Sequence, residues 1–237
     1  MPRPYGIHNK RCFMANTTAA EAHGHHPPHL QHHFVTSEQQ FDAAKQGMWL
    51  FLITEILLFS GMFVAYTVYR VWHPEVFLQA SELLDWRLGM LNTIVLLASS
   101  LTVALSIHFA QQDKNREVLI CLVLTILCAA IFMIVKYVEY TSKFSHGVFP
   151  GAGYTPHGDY AVYDVAYAPQ FFSIYFVMTG IHGFHVLLGM GVFAWLVTRV
   201  YRGHFSSAYY TPIELTGLFW HLVDIIWIFL FPLLYLI

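Results

Sequence analysis

The order of apolar and polar positions divides the chain into a polar stretch followed by five long apolar runs. The runs lie at roughly 48–71, 88–110, 117–140, 170–198 and 213–237. Each is about the ~20 residues a helix needs to cross a hydrocarbon core ~30 Å thick. Inside hydrocarbon every backbone N–H and C=O must find its partner within the chain, so the runs are predicted to be helices. Aromatic residues stand at their boundaries, as headgroup anchors do: Trp49 and Trp72 bracket the first run, Trp86 precedes the second, and Tyr137, Tyr140 and Tyr201 mark others. The link at about 141–169 is rich in Gly, Pro and Tyr and too polar to span, so an ordered surface loop is expected there. The pattern predicts an all-α fold, a polytopic membrane bundle of five transmembrane helices.

Two segments follow. Residues 1–46 form a polar tail with Pro27-Pro28 and a cluster of His23, His25, His26, His29, His32 and His33. It cannot bury enough apolar surface to offset chain entropy, so a mostly disordered tail is expected. A His-rich tract could also hold copper, nickel or zinc. No apolar core of a signal peptide precedes Gly47, and Met14 offers an alternative initiator. Residues 47–237 form the transmembrane domain.

Composition agrees with a lipid environment. Charged residues are 11% of the chain and apolar ones 57%, against about 25% charged in soluble domains. A net charge of -2 with histidine neutral points to neither nucleic acid nor a strongly anionic partner. Cys12, Cys121 and Cys128 show no CxxC spacing, which speaks against a disulfide framework or a zinc site.

Lysine and arginine set the expected topology. With the N-terminus inside, the inner side holds Arg3, Lys10, Arg11, Lys45, Lys114, Arg116, Arg199 and Arg202. The outer side or its helix ends hold Arg70, Arg87, Lys136 and Lys143. The bias favours the N-terminus inside and the C-terminus outside. Lys114, Arg116, Arg199 and Arg202 lie at the inner ends of neighbouring runs, where they either bind anionic lipid headgroups or only fix topology.

Five ionisable residues stand where a membrane helix should have none. Glu55 lies in the first run, His182 and His185 one turn apart in the fourth, and His221 and Asp224 at the same spacing in the fifth. At about 1.5 Å per residue, Glu55 and His221 lie roughly 12 Å from the inner ends, and His185 and Asp224 roughly 18 Å. A single polar layer joining the three helices is expected, with Glu55 in hydrogen-bond reach of a histidine. Its commonest role would be structural, acid and imidazole satisfying each other and locking register. A proton-linked role for Glu55 is the alternative. Metal ligation by these residues is a weak third reading, because His-x-x-His lacks a closed ligand set. No catalytic residue is assigned. Phosphate loops, the GxSxG elbow and kinase motifs are missing from the sequence, as are paired Gly-interrupted half-helices of secondary transporters. Gly180, Gly183, Gly189 and Gly191 are expected to permit close helix approach.

The residues then resemble a family, subunit III of the haem-copper respiratory oxidases. Gly47, Met48, Leu50, Phe51, Glu55, Leu57, Phe59, Gly61 and Phe63 are similar to its first core helix, and the segment from Leu91-Asn92-Thr93 to Ser99 to the next. Thr179-Gly180-x-His182-Gly183-x-His185 and Trp220-His221-x-Val223-Asp224-x-x-Trp227 look like its last two. The resemblance implies a non-catalytic core subunit of a proton-pumping terminal oxidase, with subunit I as main contact, other oxidase subunits as neighbours, and haem and copper held by those subunits. It implies that Glu55 matches a carbodiimide-reactive buried glutamate, that phospholipid is bound, and that proton uptake and resistance to turnover inactivation depend on the subunit. Many members carry two further N-terminal helices where this chain has its tail, which suggests a five-helix form from a bacterial plasma membrane. Cytochrome c is preferred over quinol as electron donor. An independent proton-linked transporter remains the alternative from another class.

Overall fold

The computed structural model describes residues 31, 34–157, 167–206 and 209–237. The tail histidines at 23–33, Met14 and much of the 147–167 loop lie outside the described residues. Among the described residues six α-helices follow in order: α1 Ser37–Trp72, α2 Pro74–Ser81, α3 Trp86–Gln111, α4 Asn115–Ser145, α5 Ala168–Tyr201 and α6 Thr211–Tyr235. Five of them, all but α2, are long and apolar enough to cross a membrane, and this is a multi-pass helical bundle.

The spans follow the apolar runs, with two differences. α1 begins at Ser37, so residues 37–46 are helical and not part of the tail. The apolar count misses them because a helix that leaves hydrocarbon continues with polar residues once water can solvate its outer turns. The second difference is α2, a short helix opened by Pro74, a residue that suits the first turn of a helix because its missing N–H has no partner there anyway.

Local chemistry ends the helices. Asp85 caps α3, its carboxylate accepting the Arg87 backbone N–H at 2.9 Å. Beyond α4 the chain turns at Gly147, whose φ of +76° is open to glycine. There its carbonyl accepts the Thr155 N–H at 2.9 Å. A Cβ on Gly147 would sit 2.0 Å from the Thr155 carbonyl oxygen, so the fold-back requires glycine.

Helices α3 to α6 pack by a seam of small residues. The buried positions of α3 are Gly89, Asn92, Leu96, Ser99, Val103, Ser106 and Ala110, an alternation of three and four residues that keeps one stripe against its neighbours. The serines on this stripe satisfy themselves, Ser99 and Ser106 donating to the Leu96 and Val103 carbonyls at 2.7 Å each. Thr102 and Thr125 join α3 to α4 at 2.8 Å. Large rings fill the space this leaves. Gly189 of α5 admits the Trp220 ring so closely that a Cβ would lie 2.6 Å from it. The indole N–H groups are used too, Trp220 donating to Ser99 at 3.0 Å and Trp227 to Thr93 at 3.1 Å.

α1 is held differently. Its buried residues, Leu52, Phe59 and Tyr66, recur every seventh position, a single narrow seam. The Tyr66 hydroxyl donates to the Leu233 carbonyl, one of the last-turn carbonyls of α6 that have no partner within the helix. Leu57, Val64 and Val71 face outward, each more than 60% exposed, as a lipid-facing surface requires.

Candidate functional site

The five ionisable residues divide between two places. Glu55 and His185 meet across α1 and α5, Glu55 Oε2 lying 2.8 Å from His185 Nε2. On its other side the ring contacts the Ile181 carbonyl through Nδ1 at 2.8 Å. A carbonyl only accepts, so Nδ1 carries a proton and donates it. The Nε2–Oε2 contact then needs a second proton, on the imidazole or on the carboxyl. Either placement leaves the pair neutral overall, which suits a site in hydrocarbon. The side chains are 10% and 15% exposed at the floor of a groove of about 700 Å³. Met48, Phe51, Phe184 and Phe219 line its walls.

The other three residues do not join this pair. His182 stands three residues from His185, about 60° around the helix, and that rotation turns it away from α1. Its ring packs against Phe132 and Trp227, centroids 5.5 and 5.2 Å away. His221 binds the Ser100 hydroxyl through Nδ1 at 2.6 Å. Asp224 is buried beside the Ser99 and Ser100 hydroxyls, and both ring nitrogens of His182 are buried without a hydrogen-bond partner among the described residues. The expected single layer is therefore two: one pair on the α1 side, and a second set inside the α3–α6 bundle.

A third polar cluster was not foreseen from the sequence. Lys136, Glu139 and Lys143 lie on one face of α4, with side chains 7%, 3% and 3% exposed. Glu139 receives Lys136 and Lys143 at 2.9 Å each. It also accepts the Tyr175 hydroxyl at 2.9 Å and the Tyr235 hydroxyl at 2.8 Å. The Lys136 ammonium also stands 5.0 Å from the Trp227 ring centre. The sequence reading placed both lysines among the charges of the outer side or helix ends. The Lys-x-x-Glu-x-x-x-Lys spacing, which sets three charges on one helix face, was the overlooked signal.

Lys114, Arg116, Arg199 and Arg202 are all exposed, at the end of the bundle where α3 turns into α4 and α5 ends. Among the described residues no group of three or more His, Cys, Asp or Glu could hold a metal ion.

The family model described as cytochrome c oxidase subunit III matches residues 28–237. A cytochrome c oxidase subunit 3 from Pelomedusa subrufa is 29% identical over 221 residues, covering 90% of this chain and 72% of its own length. The one from Prototheca wickerhamii is 29% identical over 203 residues, 81% of this chain and 68% of its own. A probable quinol oxidase subunit 3 from Staphylococcus haemolyticus is 28% identical over 193 residues, covering 81% of this chain and 88% of its own.

Proposed function

The chain belongs to the cytochrome c oxidase subunit III family, and from that membership we propose that it is a non-catalytic subunit of a proton-pumping terminal oxidase in a bacterial plasma membrane. The family's members are subunits of membrane-bound respiratory oxidases and associate with other oxidase subunits. For this chain the proposed main contact is subunit I, which with the remaining core subunits holds the haem and copper. Its work is to stabilise the catalytic subunit, to bind phospholipid and to sustain proton uptake.

The observation that carries this reading is the match across residues 28–237, which includes all five helices long and apolar enough to cross a membrane. Side-chain geometry supports the passive role. Both nitrogens of His185 are engaged by Ile181 and Glu55, and Glu139 is enclosed by two lysines and two tyrosines. Groups held this way fix helices and leave no lone pair for a redox metal. Glu55 is a structural acid in this account.

The proposed orientation places the N-terminus inside, with the exposed Lys114, Arg116, Arg199 and Arg202 on the inner face. Each would attract anionic headgroups by about 1 kcal/mol, and native mass spectrometry that found no retained phospholipid would remove the lipid-binding part. Cytochrome c is the proposed donor. A quinol donor is the second reading, favoured by the Staphylococcus haemolyticus relative, of which this chain covers 88%.

Purification in mild detergent tests the proposal. The chain should emerge with a haem-bearing partner whose visible absorption spectrum reports the complex. A colourless protein, free of partner subunits, would sink it.

A further inference from the structure

The groove floored by the Glu55–His185 pair offers hydrogen-bond acceptors and no donors. Nδ1 of His185 gives its proton to the Ile181 carbonyl, and Nε2 is taken up by Glu55 Oε2. Thr216, the remaining polar side chain of the lining, donates its hydroxyl proton to the Pro212 carbonyl at 2.8 Å. That leaves Glu55 Oε1, which has no partner among the described residues and belongs to a side chain 15% exposed. The proton shared by the pair lies on Nε2 or on Oε2, and in both cases Oε1 keeps only lone pairs. A ligand that engages it must bring an O–H or N–H.

The rest of the lining is apolar and aromatic. The rings of Phe184 and Phe219 lie 6.1 and 6.3 Å from that of His185, and Phe51 stands 6.0 Å from Phe219. A groove of about 700 Å³ with aromatic walls and one oriented polar atom has the size and make-up of a small-molecule site. Phe51 and Phe184 are 43% and 58% exposed, so the groove opens sideways to lipid. Glu55 stands roughly 10 Å along α1 from Met48, where both the groove and the apolar run begin. The hydroxyls of lipid headgroups do not reach that depth, because drawing a polar or charged headgroup into hydrocarbon is costly. Acyl tails reach it and carry no donor.

We propose that this groove binds a membrane-soluble hydroquinone, one phenolic O–H donating to Glu55 Oε1 and the flat ring lying among Phe51, Phe184 and Phe219. An uncharged ring on an apolar tail dissolves at this depth, and its hydroxyl is the donor that the groove lacks. The oxidised quinone has carbonyl acceptors at the same positions, so the site prefers the reduced form. The inference concerns binding alone: no electron acceptor is part of it, and it holds for either electron donor of the oxidase.

Photolabelling of the purified membrane complex that contains this chain, without oxygen and with excess reductant, tests it. The probe is a hydroquinone on an alkyl tail with a diazirine next to the ring, and labelled peptides are read by mass spectrometry. Labels are expected on α1 at 48–58 and on α5 at 181–192, the segments that line the groove. Unlabelled hydroquinone should displace them, whereas its dimethyl ether, which keeps ring and tail and loses the O–H, should need about tenfold more. Glu55→Gln should keep the labels, since its amide N–H can take the His185 contact and leave its carbonyl to the groove, and Glu55→Leu should lose them. Hydroquinone and ether are compared on the unaltered protein, so the test stands even where Glu55→Leu fails to assemble. Equal displacement by the two, displacement by phospholipid alone, or labels confined to other segments would overturn the proposal.

Discussion

The Glu55–His185 pair and the Lys136–Glu139–Lys143 cluster both put ionisable groups inside apolar helices, and they do so by different means. Glu55 takes a single partner on a loosely held helix, with 15% of its side chain open to a groove. Glu139 is 3% exposed and gathers two ammonium groups and two phenols from three helices. The difference follows from desolvation. A carboxylate that opens on a groove needs one proton-bearing neighbour to be neutral, but a fully enclosed one must have its lone pairs filled as well. The first arrangement can be lost without collapse, and the second cannot.

The largest expected effect follows from that contrast. Glu139→Gln leaves Lys136 and Lys143 buried without a countercharge, and breaking a buried ion pair by removing one partner costs about 3–5 kcal/mol. Loss of the subunit from the purified oxidase, or a sharp fall in its melting temperature, is the expected outcome. Wild-type retention would show the cluster to be dispensable.

Packing within the bundle gives the next effect. Gly189→Ala drives a methyl group into Trp220, with an expected loss of about 1–3 kcal/mol. Gly183→Ala is the matched control, since a Cβ there meets nothing within 4 Å. Equal melting temperatures for the two variants would contradict the close-packing role of Gly189. A smaller loss, about 1 kcal/mol, is expected for Ser100→Ala, which takes the hydroxyl from His221. Thermal unfolding that matched wild type would show that bond to contribute nothing.

Sequence alone was enough for the helices that cross lipid, because hydrocarbon allows few alternatives and long apolar runs announce themselves. Glu55 and a histidine could be paired in advance from depth along the helices. Depth says nothing about rotation, and so His182, His221 and Asp224 were grouped with them although they face another way. The burial of Lys136 and Lys143 was missed for a related reason. Counting charges for topology assigns a side and says nothing of burial, and only packing reveals that these two point into the bundle. The start of α1 at Ser37 was hidden because its polar first turns carry no apolar signal.

The central claim is that Glu55 ties α1 to α5 and carries no pumped proton. His185 has no free nitrogen to pass a proton onward, since its second one donates to the Ile181 carbonyl, and along α1 no other carboxylate, lysine or histidine stands between Glu55 and Arg70. Glu55→Gln keeps size and hydrogen bonding but cannot ionise. Protons released per electron by the variant oxidase in sealed vesicles should stay close to wild type, with oxygen reduction intact. Abolished pumping with every subunit still present would contradict the account.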